Sequence, residues 1–250
     1  MDTGLHGRVA LITGAGRNIG RETARMLAAE GVDLVLCTRK SKELLEETAH
    51  QASAAGVRVL TALCDVADQG QVNALVERAV REFGRVDILV NNAVYRIQQP
   101  FLETDYEEWR RNIAVNLDGP FFTCRAVVPG MMERRWGRII NYSGIAAYLG
   151  GGAAKAAVKL GIVGFTRGLA RECGPYNVTV NAIAPGTIRV DRDPGLEREA
   201  DRRGHVDEGV PIARFGTPEE IAAMVVYLAS EHAGYITGQC FGVNGGAYFQ

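Results

Sequence analysis

Apolar, β-branched runs recur along the chain, and segments of helical period separate them. The runs lie at 8–13, 32–38, 57–63, 86–91, 137–143, 177–184 and 239–243, and the helical segments at 19–30, 41–55, 69–83, 104–115, 119–134, 153–173 and 217–230. Strands that alternate with helices favour a parallel sheet, and near-continuous apolar strands are buried on both faces. We therefore predict one α/β domain over residues 1–250. Its core is a doubly wound parallel sheet of about seven strands, with helices on both faces.

Composition and charge exclude several classes of function. The 250 residues carry a formal net charge of -1, and both signs are mixed along the chain, unlike the positive field that nucleic acids require. The sequence has no apolar run of about 18 residues and no signal-peptide layout, so we expect no membrane association. Isolated cysteines and histidines without ligand spacing predict a cytoplasmic location and no metal site.

A glycine-rich loop, 13-TGAGRNIG-20, follows the first predicted strand and opens a helix. Glycines allow a tight turn here and let the backbone approach a pyrophosphate at the positive end of the helix. Strand, loop and helix in this order predict a Rossmann-type dinucleotide site. The loop residues that we expect to contact the cofactor are Gly14, Arg17, Asn18, Ile19 and Gly20.

The tip of the second strand, 37-CTRK-40, bears on the choice between NAD and NADP. An acidic residue about 20 residues after the loop would hold the ribose 2′-hydroxyl of NAD. Arg39 and Lys40 stand there instead, and a guanidinium binds a 2′-phosphate through two charge-assisted hydrogen bonds. NADP(H) is therefore favoured over NAD(H), with merely solvated Arg39 and Lys40 side chains as the alternative.

These residues and several further motifs resemble the short-chain dehydrogenase/reductase family, most closely its 3-oxoacyl-carrier-protein-reductase-like branch. The loop resembles the family's T-G-x-x-x-G-x-G, with Asn18 at the usual middle glycine, and asparagine tolerates a left-handed backbone well. The segment 91-NNAV-94 resembles N-N-A-G, with Val94 in place of the glycine. The resemblance covers nearly the whole chain, including the tail 235-YITGQCFGVNGG-246.

The resemblance implies cofactor contacts beyond the loop. They are Asp65 and Val66 on the adenine side, Asn92 and Ala93 after the fourth strand, Lys159 at the nicotinamide ribose, and Pro185, Gly186 and Thr187 beside the nicotinamide. The implied reaction is hydride transfer between the nicotinamide and a small carbonyl or secondary-alcohol substrate. The implied assembly is a homotetramer or a dimer.

The family's chemistry uses a tyrosine as general acid, with a lysine one helical turn later that lowers the tyrosine pKa. A serine polarises the carbonyl, and an asparagine, matched here by Asn116, supports a proton-relay water. The segment 161-GIVGFTRGLARE-172 sets the register of the long helix and places the family lysine at Lys159. In that register the tyrosine position falls on Lys155.

The serine position is altered as well. Counted from the fifth strand it falls on Gly144, with Ser143 one residue early. The loop between this strand and the long helix is about two residues shorter than is usual in the family. Ser143 stays a candidate catalytic residue in spite of this offset.

Three interpretations of how the protein handles the proton of this reaction stay open. In the first, a tyrosine elsewhere supplies the proton, and the candidates are Tyr148, Tyr95 and Tyr142. Each of them is also a candidate packing residue. The spacing between Tyr148 and Lys155 resembles that of the tyrosine and lysine in the enoyl-reductase branch. In the second, Lys155 is the acid, because the ammonium group of Lys159, four residues further on, lowers the Lys155 pKa. The competing explanation is that Lys155 is a solvated surface lysine. In the third, the protein binds NADP(H) with little or no turnover, in a binding or regulatory role.

A charged segment with weak period, residues 188–210, predicts a mobile lid over the substrate site. With the loop 94–101 it would border the pocket. Its arginines interleave with acidic residues, which favours a solvated lid over a basic patch for an acyl carrier protein.

Overall fold

The computed structural model describes residues 2–97, 99–191, 204–206 and 209–249. Seven strands form one sheet in the order β3-β2-β1-β4-β5-β6-β7, and every neighbouring pair is parallel. The strands are β1 (Val9–Thr13), β2 (Asp33–Thr38), β3 (Val59–Leu63), β4 (Ile88–Asn91), β5 (Gly137–Tyr142), β6 (Val178–Pro185) and β7 (Cys240–Val243). The predicted doubly wound parallel sheet is confirmed.

Eight α-helices of the described chain cover the sheet. They are α1 (Asn18–Ala29), α2 (Lys42–Ser53), α3 (Gln69–Phe83), α4 (Tyr106–Ile113), α5 (Gly119–Glu133), α6 (Ala146–Leu149), α7 (Ala153–Cys173) and α8 (Pro218–Ala229). Helices α1, α2 and α8 pack on one face and α3, α5 and α7 on the other. The helical segments and strands that the sequence predicts end within two residues of these bounds.

Strand period explains how one sheet supports two apolar layers. In β1, Ala10 and Ile12 belong to the cluster under α1 and α8, whereas Val9 and Leu11 belong to the cluster under α3 and α5. All five residues of this strand are buried, because successive side chains point to opposite faces and helices cover both. Continuous apolar runs therefore become central strands of the sheet.

The order in which strands are added to the sheet changes direction at β1, which has β2 on one side and β4 on the other. Such a switch point opens a crevice at the carboxyl ends of the two strands, where open α/β sheets bind their ligands. The loop after β1 and the loop after β4 both leave the sheet at this crevice.

Two short elements near the crevice were not predicted. A π-helical turn, Ala114–Asp118, joins α4 to α5, and α6 follows β5. Of the predicted lid at 188–210, residues 192–203 and 207–208 lie outside the described residues. None of the helices in the described part of the chain combines the length and apolarity that a bilayer crossing requires.

Candidate active site

The loop after β1 is packed so tightly that Gly14 and Gly20 have no room for a side chain. Gly14 has a φ of +65°, and a Cβ there would lie 3.0 Å from the Ala93 Cα. A Cβ on Gly20 would overlap the Gly14 carbonyl oxygen. The Asn92 Nδ2 donates hydrogen bonds to the carbonyls of Thr13 and Gly14, both at 2.9 Å, and holds the loop against β4. The result is a bare backbone cradle at the start of α1, which fits a pyrophosphate.

Asn18 adopts the conformation that the family's glycine would have, with a φ of 52°. Its side chain donates to the Asp191 carbonyl at 2.9 Å and accepts from the Asp191 amide at 2.8 Å. Asparagine therefore keeps the loop shape and also fastens the chain after β6 to the loop. The flanking residues Arg17 and Ile19 occupy the N-cap and the first turn of α1, and Ile19 packs against the core.

A pocket opens beside this loop, at the carboxyl ends of β1 to β4. It is lined by Gly14, Thr38, Arg39, Cys64, Asp65, Val66, Ala93, Val94, Tyr95, Arg111 and Val115. Five of these residues are predicted cofactor contacts, so the structure brings together parts of the chain that are far apart in sequence. Arg39 is exposed at the rim, as is its neighbour Lys40.

Asp65 is paired with a residue that sequence reasoning missed. The Arg111 guanidinium donates to the Asp65 Oδ2 at 2.7 Å, and the Ala67 amide donates to the Oδ1 at 3.1 Å. Burial raises the pKa of Asp65, but these hydrogen bonds and the charges of Arg111 and Arg39 bring it below its ordinary value. One signal was available: Arg111 lies five residues before Asn116, whose match already placed this segment at the cleft.

Asn116 lies within the π-helical turn and is buried. Its Nδ2 donates to the carbonyls of Tyr95 and Asn112, both at 2.9 Å. Asn112 in turn donates to the Ala154 carbonyl at 2.8 Å. The wider turn thus lets two asparagines tie α4, the loop after β4 and the start of α7 together, as π-bulges at functional sites often do.

Lys159 projects from α7 towards the end of β5, where its Nζ donates to the Tyr142 carbonyl at 2.9 Å. Burial lowers the pKa of Lys159, and the positive charges of Arg96 and Lys155 lower it further, to about 8. Lys155 lies one turn earlier on α7 and is exposed. The predicted position of the family's tyrosine is therefore occupied by a cation that lowers the pKa of Lys159.

Ser143 is buried, with 4% of its surface exposed, and its Oγ donates to the Lys159 carbonyl at 2.8 Å. This hydrogen bond fastens the end of β5 to α7. At the next residue, Gly144, a Cβ would have no described atom within 4 Å. The position with open space is therefore Gly144, which the sequence predicts to be the family's serine position, and the catalytic role of Ser143 stays a prediction.

The three candidate tyrosines are each engaged away from Lys159. The Tyr148 ring stacks on Tyr248, with ring centroids 4.5 Å apart, and packs against a cluster that includes Cys240. Tyr142 packs against the core beneath α1 and α8. Tyr95 donates its hydroxyl to the Glu108 carboxylate at 2.6 Å.

The pKa of all three tyrosines is raised. Burial is the main cause for Tyr148 and Tyr142, and the hydrogen bond to Glu108 is the main cause for Tyr95. The family's lysine lowers its tyrosine pKa, so these shifts run the opposite way. In each case the effects that raise the pKa outweigh those that lower it, so the tyrosine hydroxyl is a weaker acid near neutral pH than an exposed one.

The segment after β6 is fixed at its start. Pro185 ends β6, and a Cβ on Gly186 would lie 2.6 Å from the Asn244 Cα. The Gly216 amide donates to the Thr187 carbonyl at 3.0 Å, and the Arg189 guanidinium lies 4.7 Å from the centroid of the Phe215 ring.

Within the described ranges, no group of three or more His, Cys, Asp or Glu side chains is placed to hold a metal ion.

Comparison with known proteins agrees with this geometry. A sequence profile described as Enoyl-(Acyl carrier protein) reductase matches residues 14–248. A 3-oxoacyl-[acyl-carrier-protein] reductase from Synechocystis sp. is 38% identical over 247 residues, 98% of each chain. The short-chain reductase protein NovJ of Streptomyces niveus is 42% identical, covering 95% of this chain and 93% of that protein.

Solved structures agree as well. The crystal structure of levodione reductase matches with a TM-score of 0.89 and 35% identity, over 97% of this chain and 99% of that one. Family profile, relatives and fold all extend over nearly the whole sequence. The chain therefore belongs to the short-chain dehydrogenase/reductase family.

Proposed function

We propose that the protein is an NADP(H)-dependent oxidoreductase that acts on a carbonyl or secondary-alcohol substrate, with lysine in place of the family's tyrosine acid. Its relatives are named as reductases, which supports the reaction class. The observation that carries the altered chemistry is the pair formed by partly buried Lys159, with its pKa of about 8, and Lys155 one turn before it.

The cofactor choice is supported at the adenosine pocket. The glycine cradle accepts a backbone-bound pyrophosphate because a Cβ at Gly14 or Gly20 would fill it. Arg39 and Arg111 both line the neighbouring pocket, and the tip of β2 carries no acidic residue. A guanidinium at that tip is suited to a 2′-phosphate, whereas a carboxylate would be needed to hold the free ribose hydroxyls of NAD.

The bound cofactor supplies the hydride. When a carbonyl carbon accepts it, negative charge develops on the carbonyl oxygen, and fixed cations stabilise that charge strongly in a partly dry site. Lys159 and Lys155 provide two such cations. We assign the proton to Lys155, which stands at the family's acid position: its ammonium protonates the alkoxide oxygen and is then reprotonated from solvent. Lys159, whose Nζ donates to the Tyr142 carbonyl at the end of β5, would hold the nicotinamide ribose.

A second candidate function is NADP(H) binding with little or no turnover. The observation that favours it is that the candidate side chains have other partners: the Ser143 hydroxyl is bonded to the Lys159 carbonyl, the Tyr95 hydroxyl to Glu108, and the Tyr148 ring is stacked on Tyr248. In this case Lys155 and Lys159 contribute to cofactor binding and transfer no proton. The homotetramer or dimer stays a prediction in both cases.

The decisive experiment compares NADPH oxidation by wild type, Lys155→Ala, Tyr148→Phe and the control Arg171→Ala on ketones and 3-oxoacyl thioesters. Arg171 is an exposed cation further along α7. We expect Lys155→Ala to lose roughly 100-fold in kcat, the usual scale for a general acid, and the other variants to stay near wild type. Silence of all four proteins, with NADPH still bound, would establish the second candidate. Loss only in Tyr148→Phe would return the acid role to tyrosine.

The cofactor choice has its own test. NADPH and NADH are titrated against the same protein, and Arg39→Ala is compared with wild type. We expect wild type to bind NADPH more tightly, with most of that preference lost in Arg39→Ala. Equal or tighter binding of NADH by wild type would overturn the role assigned to Arg39.

A further inference from the structure

The ion pair between Arg111 and Asp65 bears on the adenosine pocket rather than on fold stability. The Arg111 guanidinium lies 2.7 Å from the Asp65 carboxylate, and the two side chains are 32% and 21% exposed. Ion pairs this open to solvent contribute little to the free energy of unfolding. Both residues nevertheless line the pocket that Arg39 also lines, so their charges act on whatever occupies it.

The charges around this pocket are nearly balanced. Arg39 and Arg111 are cations, and Asp65 is the anion among the lining residues. Glu108 adds a second carboxylate at the edge, where it accepts a hydrogen bond from the Tyr95 hydroxyl. Without Arg111, Arg39 would be left as the one cation among the described lining residues, beside the unpaired Asp65 carboxylate.

We propose, building on the proposed use of NADP(H), that Arg111 is a cofactor-specificity residue that occupies Asp65 and so leaves Arg39 available for the 2′-phosphate. Arg39 already acts electrostatically on Asp65, since its charge helps to lower the pKa of that carboxyl. Because Arg111 donates to one Asp65 oxygen and the Ala67 amide to the other, the carboxylate has less need of Arg39. The guanidinium of Arg39 is then free to face the cofactor.

The same ion pair leaves room for adenine recognition. An ionised carboxylate offers about four acceptor sites, and the two hydrogen bonds from Arg111 and Ala67 use two of them. An adenine amine has acceptor positions left on Asp65. Arg111 is therefore expected to change the preference for a phosphate on the ribose, and to leave recognition of the base in place.

The test uses two fragments that need only the adenosine half of the site, adenosine 2′,5′-bisphosphate and AMP, titrated by calorimetry. In Arg111→Gln we expect bisphosphate affinity to fall roughly tenfold more than AMP affinity, the scale of one lost charge near a doubly charged phosphate at protein-surface dielectric. Arg110→Gln, which removes a charge from the exposed neighbouring position of α4, should change the affinity ratio less than twofold. Arg111→Lys keeps the charge and should keep most of the ratio.

A second substitution, at Asp65, tests whether Arg111 acts through this carboxylate. Asp65→Asn removes the charge that Arg111 offsets, so combining it with Arg111→Gln should restore the ratio towards that of wild type. A ratio that Arg111→Gln leaves within twofold of wild type overturns the specificity role, and so does an equal loss for both fragments. If wild type itself binds the two fragments equally, the proposed cofactor choice fails instead, which separates the two outcomes.

Discussion

The two ends of the dinucleotide cleft differ in how much side chain they can accept. At Gly20, in the cofactor cradle, a Cβ would overlap the Gly14 carbonyl and lie 2.7 Å from the Asn92 Nδ2. At Gly144, the predicted position of the family's serine, a Cβ would meet no described atom within 4 Å. Backbone packing therefore excludes a side chain at Gly20, in the cofactor end, whereas it leaves room for one at Gly144, in the catalytic end. This difference is consistent with the prediction that one end keeps the family's motifs while the other departs from them.

The difference in packing between the two ends is tested most directly by adding one methyl group at Gly20 and, separately, one at Gly144. Gly20→Ala should weaken NADPH binding at least 100-fold and lower the melting temperature, because the loop and β4 have to move apart to admit the Cβ. Gly144→Ala is the matched control and should bind NADPH within twofold of wild type. Fluorescence titration of NADPH measures both. Comparable losses in the two variants would show that the ends are equally constrained and would break the comparison.

The second difference between the two ends is a partly buried lysine, Lys159, at the catalytic end. The pKa of Lys159 is lowered from 10.5 to about 8. Between these two values the unfolded chain binds more protons at this site than the folded one, so the free energy of unfolding rises with pH across this window. A shift of this size corresponds to about 3 kcal/mol in total. The charged lysine thus destabilises the catalytic end below pH 8.

Lys159→Met should remove this contribution. Relative to the variant, wild type should gain up to about 3 kcal/mol of unfolding free energy between pH 7 and pH 10.5, measured by urea denaturation without cofactor. At pH 7 the variant should be the more stable protein, although it should lose reductase activity. Lys42→Met, at an exposed position on α2, is the control and should show no such pH-dependent difference. A pH-independent difference for Lys159→Met would mean that Lys159 titrates as a solvated lysine.

The same contrast separates what the sequence could predict from what it could not. The fold followed from local patterns: β1 is an apolar run that is buried throughout, and the glycine loop needs φ values that few residues adopt. Asn18 fits this logic, because its identity alone indicates tolerance of a left-handed backbone. Its hydrogen bonds to Asp191 did not follow, since they join parts of the chain 173 residues apart.

At the catalytic end the missing information was the direction of side chains. The sequence placed Ser143 and Tyr148 near the end of β5, but one residue's difference on a strand decides which way a hydroxyl points. The stacking of Tyr148 on Tyr248 depends on how the C-terminal segment returns over β6 and β7. Arg111 escaped notice for a similar reason, because its partner Asp65 follows a strand on another part of the chain.

The smallest effect on stability is expected where the family's own residues are restored. Gly144 has no described neighbour that a side chain would strike, and Lys155 is exposed on α7, so Gly144→Ser combined with Lys155→Tyr should change the free energy of unfolding by less than about 1 kcal/mol. Lys159 remains one turn beyond the new tyrosine, in the spacing that the family uses to lower the tyrosine pKa. Faster NADPH oxidation by this variant would show that the backbone still carries the family's catalytic geometry. A large loss of stability would show that the catalytic end is packed as tightly as the cradle, and the contrast between the two ends would then disappear.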